Sequence, residues 1–234
     1  MGGRLALITG VGRAGQVGES VARAFAQRKN RLVLVSRDLA EVTARAKALE
    51  TAGFEATPYA CDLADPGAVQ ALADRVTQVH GDTLDALVNL AGGFSLSGPV
   101  SESSLDSWLQ MSRINVLTAF HSTRAFLPHL RRARGAIVYF ASAVSLPGGA
   151  ASGVWAYAAA KGAVLSLMRS VATEELAEGV RANAVAPVSI RTAANLAVMG
   201  DTGHYVERED VANAVWYLCS DGARAVTGQV VRLG

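Results

Sequence analysis

Thr9-Gly10-Val11-Gly12-Arg13-Ala14-Gly15-Gln16-Val17-Gly18 follows the short apolar run Leu5-Ala6-Leu7-Ile8 and opens onto an amphipathic stretch, residues 17–28. Glycines let a backbone turn sharply and approach a ligand closely. The helix that such a turn opens offers unpaired N–H groups and the positive end of a dipole. A glycine-rich turn between a first strand and a first helix therefore predicts a nucleotide pyrophosphate site in a βαβ unit. An ordinary βα turn is the plainer alternative.

Working outward, short apolar runs alternate with longer amphipathic ones. This pattern predicts a buried parallel sheet crossed by helices. Strands are expected at residues 4–9, 31–36, 54–60, 84–88, 135–141, 180–186 and 228–232, with helices at 17–28, 38–52, 66–80, 101–132 and 155–178. Right-handed crossovers make this an α/β single-domain Rossmann fold, a doubly wound seven-stranded parallel sheet flanked by helices over residues 1–234. Loops starting at Gly10, Ser36, Asp62, Asn89, Ser142 and Pro187 should converge beyond the carboxyl ends of the strands.

The 234 residues are 50% hydrophobic and 18% charged, with a net charge of +2, enough to bury a large core. No run of like charges suggests a nucleic-acid partner, and no apolar stretch is long enough to span a membrane. The N-terminal apolar run is too short for a signal peptide, so a soluble, cytoplasmic protein is expected. Cys61 and Cys219 have neither CxxC nor Cys/His spacing, so neither a disulfide framework nor a metal site is expected. His80, His121 and His129 show no ligand spacing and read as structural, and His204 reads as an exposed loop residue. Trp108, Trp155 and Trp216 read as core or interface residues.

Two further features carry chemistry. The second strand ends in Ser36-Arg37-Asp38, without an acidic residue at its tip to accept from a ribose 2′-hydroxyl. The planar fork of Arg37 can instead pair with a 2′-phosphate, which favours NADP(H) over NAD(H). A solvated Arg37 and an Asp38 that caps the next helix are the plainer alternatives. Tyr157 and Lys161 stand four apart in an expected helix, with Cβ atoms about 5–6 Å apart on one face. A nearby ammonium favours the phenolate and brings the phenol toward acid–base use, although such a pair is often only a packed ring and a solvated amine.

The glycine-rich loop, Asn89-Leu90-Ala91-Gly92, Asn115, Ser142 and Tyr157-Ala158-Ala159-Ala160-Lys161, in this order, resemble the short-chain dehydrogenase/reductase family along essentially the whole chain. In size and in Val226-Thr227-Gly228-Gln229-Val230 the resemblance is to members of the 3-oxoacyl-[acyl-carrier-protein] reductase type. It implies an oxidoreductase that moves a hydride between NADP(H) and a small carbonyl or alcohol substrate. Tyr157 would be the general acid, Lys161 would lower its pKa and hold the nicotinamide ribose, Ser142 would bind the substrate oxygen, and Asn115 would hold a relay water.

The same resemblance implies that the cofactor lies along Gly10, Arg13, Gly15, Gln16 and Val17, then Ser36 and Arg37. Asp62 and Leu63 would meet the adenine, with Asn89, Ala91 and Gly92 along the adenosine ribose. Pro187, Val188, Ile190 and Thr192 would lie by the nicotinamide. It also implies a homodimer or homotetramer built on the helices that carry Asn115 and Tyr157, where Leu117, Phe120, Leu165 and Met168 could face a partner or the sheet.

Four departures from the family pattern stand out. The loop is about two residues longer than usual, with Gln16 where a middle glycine often stands. Ser142 precedes Tyr157 by 15 positions, about two more than is typical, which makes Ser145 a second candidate for the substrate serine. Val188 replaces a glycine after Pro187. The substrate lid, residues 189–208, is short, with Asn195, Met199 and His204 among small residues. A nucleotide-binding regulator with little turnover is the competing expectation that these departures motivate.

Overall fold

The computed structural model describes residues 3–201 and 204–234. Met1 and Gly2, and Thr202 and Gly203 within the expected lid, lie outside the described residues. Seven strands form one sheet: β1 (Leu5–Thr9), β2 (Arg31–Ser36), β3 (Ala56–Ala60), β4 (Ala86–Asn89), β5 (Ala136–Phe140), β6 (Arg181–Pro187) and β7 (Val230–Leu233). All six pairings are parallel, in the order β3-β2-β1-β4-β5-β6-β7. The expected doubly wound seven-stranded sheet is the one observed.

Successive side chains of a strand point to opposite faces, and both faces of the sheet centre are covered, so β1, β2 and β5 are apolar over nearly their whole length. Leu5 and Leu7 join one core cluster while Ala6 and Ile8 join the other. The first cluster packs under α3 (Pro66–His80), α5 (Thr118–Ala133) and α6 (Trp155–Glu174), through Leu72, Phe126, Leu130 and Met168. The second packs under α1 (Val17–Ala26), α2 (Leu39–Thr51) and α8 (Arg208–Cys219), through Phe25, Leu49 and Val215. Each such side chain contributes about 1.5–3 kcal/mol by burial, so the strand ends are held at fixed positions. The Arg131 guanidinium donates to both Glu175 oxygens, at 2.7 and 2.6 Å, and clamps the ends of α5 and α6 together.

The helix expected over 101–132 begins at Leu105 and is not α-helical throughout. α4 (Leu105–Met111) passes into a π-helical turn, Ser112–Leu117, before α5. A π-turn inserts a residue into the ladder without ending the helix, so the apolar rhythm continues across it. Leu165 and Met168 of α6 are fully buried under the sheet, whereas Leu117 and Phe120 are about two-fifths exposed, so only the latter two remain open to a partner.

Candidate active site

The strand order reverses between β1 and β4, which opens a crevice at their carboxyl ends. Thr9 closes its floor. Its hydroxyl accepts from the Leu90 and Ala91 amides, both at 3.0 Å, and donates to the Val88 carbonyl at 3.1 Å. The Asn89–Gly93 turn is thereby locked against the start of the glycine-rich loop. A Cβ at Gly10, whose φ is +76°, would lie 2.9 Å from the Ala91 nitrogen, so both the conformation and the space require glycine.

The π-turn swings Asn115 inward, where it is 1% exposed. Its Nδ2 donates to the carbonyls of Gly93 (3.0 Å) and Met111 (3.1 Å), and its Oδ1 accepts from the Gly93 amide (3.2 Å). A Cβ at Gly92 would stand 2.5 Å from Asn115 Oδ1 and 3.4 Å from Lys161 Nζ, so these groups crowd one point. Lys161 is buried, donates to the Phe140 carbonyl at 2.8 Å, and lies 5.7 Å from the centre of the Tyr157 ring. Burial pulls its ammonium down to about 8.

Ser142 follows β5 and starts a 3-10 turn. The Ser145 hydroxyl donates back to the Ser142 carbonyl at 2.7 Å. That leaves the Ser142 hydroxyl beside the Tyr157 phenol. Burial pushes the phenol above its ordinary value, and Ser142 opposes the rise. Of these two effects on the phenol, burial is the larger. Phe94, 60% exposed, stands edge-on to the Tyr157 ring at 5.1 Å and gives the phenol an apolar neighbour.

At the other end of the crevice the glycine cradle fits a pyrophosphate. Gln16 is the N-cap of α1 without a side-chain cap, and Val17 is its first residue, so amides there face outward. A Cβ at Gly18 would lie 2.6 Å from the Gly10 carbonyl, so this glycine admits the helix against the strand. Sequence reasoning left Gly18 out of the site. Its signal is the fourth glycine of the loop, eight residues after Gly10. Gly15, at φ +71°, donates its amide to Glu19 Oε2 at 2.8 Å and accepts from the Ala193 amide at 3.2 Å.

Arg13 is 79% exposed, 3.7 Å from Glu41. Arg37 is exposed, with no side-chain partner among the described residues. Asp38 caps α2 through the Glu41 amide at 3.0 Å, as its plainer reading has it. Ser36 ends β2 and accepts from the Cys61 amide. Asp62 accepts from the Ala64 amide at 3.0 Å and lies 3.2 Å from Arg113, while Asp65 caps α3.

Two expected cofactor residues turn their side chains away from the crevice. Asn89 donates to Thr123 at 3.0 Å and accepts from Ser122 at 2.6 Å beneath α5, and Leu63 is buried in the core. Only their backbones remain for a ligand. An amide oxygen and nitrogen in an apolar layer are satisfied at less cost by two facing hydroxyls than by reaching solvent.

The expected lid, residues 189–208, carries α7 (Ala193–Met199), capped by the Thr192 hydroxyl accepting from the Asn195 amide at 3.1 Å. Asn195 donates to the Ile190 carbonyl at 2.8 Å, and Ile190 bridges to Val206. Pro187 ends β6, and Val188 keeps an ordinary φ while its amide donates to Leu233 at 3.0 Å. His204 is exposed. Among the described residues no group of three His, Cys, Asp or Glu could hold a metal ion, and no helix is long and apolar enough to cross a membrane.

A family model described as enoyl-(acyl carrier protein) reductase matches residues 10–233. The chain is 33% identical over 240 residues to cis-4-hydroxycyclohexanecarboxylate dehydrogenase of Sinomonas cyclohexanicum, covering 97% of this chain and 94% of the relative. It is 30% identical over 237 residues to meso-2,3-butanediol dehydrogenase of Serratia marcescens, covering 96% and 90%. A gluconate 5-dehydrogenase from Burkholderia cenocepacia J2315, solved with NADP and tartrate, superimposes with a TM-score of 0.90 at 28% identity, covering 100% of this chain and 94% of that one. With its doubly wound sheet and its site at the strand-order reversal, the chain belongs to the short-chain dehydrogenase/reductase family of oxidoreductases.

Proposed function

We propose that residues 1–234 form a single NADP(H)-dependent oxidoreductase domain, with residues 189–208 as its lid, acting on a small carbonyl or alcohol. The observation that carries this reading is the convergence of Asn115, Ser142, Tyr157 and Lys161 beside Gly92 at the carboxyl end of the sheet. A nicotinamide in the crevice supplies or accepts the hydride. The chain itself supplies a proton at one fixed atom. Burial keeps the Tyr157 phenol protonated, so it is set to give its proton to a carbonyl oxygen in the reducing direction. Ser142, beside it, donates to the same oxygen and fixes its position.

Lys161 holds its ammonium one helical turn from the phenol, where positive charge stabilises the phenolate left behind. Asn115 braces the turn that Lys161 packs against and can pass a proton through a water. In alcohol oxidation the phenolate is the base, so the raised phenol makes oxidation rise with pH while reduction falls.

Preference for NADP(H) rests on the fork of Arg37, which has no side-chain partner among the described residues, and on the cation of Arg13 beside the loop. A homodimer or homotetramer is supported by exposed Leu117 and Phe120, next to Leu105 (70% exposed) and Leu109 (52%) of α4. A cytoplasmic setting accords with two buried, free cysteines. The test is fluorescence titration with NADPH and NADH, then turnover on a panel of cyclic ketones, diols and polyols. Tight NADPH binding with turnover on one class is the expected result; binding without any turnover would replace an enzyme with a nucleotide sensor.

A further inference from the structure

The residues that would meet the adenosine ribose carry more than the two arginines. Glu41 is the third residue of α2 and its amide is taken by the Asp38 cap. A glutamate at this position commonly folds back onto the cap's own N–H. Here its carboxylate reaches the other way, across to the glycine-rich loop. A Cβ added at Gly12 would lie 2.8 Å from Glu41 Oε2 and 3.0 Å from Ser36 Oγ, and Arg13 Nε is 3.7 Å from Glu41 Oε1. The partner that helical spacing offers Glu41 is Arg45, four residues on. Arg45 is drawn off by Glu19, at 2.9 Å. Glu41 is thus left to face the pocket mouth, with Arg13 as its only cation among the described residues.

The charges at this mouth are Arg13 and Arg37 against Glu41, with Asp38 spent on the helix cap. A dianionic 2′-phosphate placed between Ser36, Arg37 and Arg13 must share Arg13 with a carboxylate that repels it, whereas a 2′-hydroxyl can donate to that carboxylate. We infer that Glu41 is a specificity-determining residue that narrows this chain's preference for a 2′-phosphorylated adenosine by holding Arg13 and accepting from an unphosphorylated ribose. The inference rests on the proposed nucleotide site but not on turnover.

The experiment uses the adenosine halves alone: 2′,5′-ADP and 5′-AMP, titrated calorimetrically into the wild type, Glu41→Gln, Glu41→Ala and Arg37→Asp, with thermal midpoints as a folding check. Both Glu41 variants should bind 2′,5′-ADP about fivefold more tightly, the effect of one unit charge a few ångströms away in water, with 5′-AMP bound more weakly, most of all by Glu41→Ala. Unchanged or weakened 2′,5′-ADP binding in the Glu41 variants would overturn the inference, because Glu41 would then be neutral or would be holding Arg13 in a productive place. If Arg37→Asp binds 2′,5′-ADP as the wild type does, the Arg37 reading fails while the Glu41 result stands or falls separately.

Discussion

The two ends of the crevice are built on opposite principles. At the proposed nicotinamide end, Asn115 and Lys161 are almost wholly buried, and their side-chain polar atoms have partners on a strand end or turn. At the proposed adenosine end, Arg13 and Arg37 are exposed, and the carboxylate that faces Arg13 stands at 3.7 Å. Burial makes each charge or proton at the first end costly to misplace and strongly shifted in pKa. Solvent makes each charge at the second end adjustable and weak. Under the proposed function, the fold would fix the chemistry and leave the choice of cofactor to a few surface contacts.

The comparison is most easily broken at Tyr157. Removing only the phenolic oxygen, in Tyr157→Phe, takes away the proposed proton donor without disturbing the ring that packs on Phe94. Single-turnover reduction should slow about a thousandfold, with NADPH affinity nearly unchanged. Turnover within tenfold of wild type would move the acid elsewhere and leave the buried end without its chemistry.

Lys161 tests the same end through stability. Its ammonium is held down at about 8, against 10.5 in the unfolded chain, so between those values the unfolded state binds more protons and stability rises with pH. From pH 8 to 10 the wild type should gain about 2 kcal/mol relative to Lys161→Met, measured by denaturant titration at each pH. Parallel curves for the two proteins would mean that the lysine titrates as if in water. In that case the contrast between the two ends of the crevice would disappear.

How much of this could be read from sequence follows the same division. β2 (Arg31–Ser36) and α3 (Pro66–His80) fall where the sequence places them, because a Leu-Val-Leu-Val run and an Asp-Pro start are local signals. The π-turn at Asn115 is not local in that sense: it adds a residue without a break in apolar rhythm, and the sequence reads as one helix. Asn89 was legible as part of the turn but not in its direction. That direction depends on Ser122 and Thr123, more than 30 positions away. Glu41 was invisible because its reach depends on Arg45 being engaged by Glu19 of another helix.

The exposed end predicts smaller, salt-dependent effects. Arg37→Asp should weaken NADPH about tenfold or more and leave NADH within about twofold, and the difference should shrink as salt is raised past the Debye range of about 8–10 Å. Equal loss for both nucleotides would place Arg37 on a shared part of the cofactor, and the adjustable end would then lie elsewhere.

Ser145 sharpens the contrast by separating burial from function. It lies in the same turn as Ser142, partly buried, yet its hydroxyl is spent on the Ser142 carbonyl at 2.7 Å and has no proton to offer a substrate. Ser145→Ala should lose about 0.5–1.5 kcal/mol of stability for that bond, with kcat/KM within about twofold of wild type. Ser142→Ala should lower kcat/KM about a hundredfold, because its hydroxyl is the one hydrogen-bonded to the phenol. If the two variants exchanged these outcomes, the longer turn after β5 would have to rearrange when substrate binds. Ser145 would then take the position that the ligand-free geometry gives to Ser142.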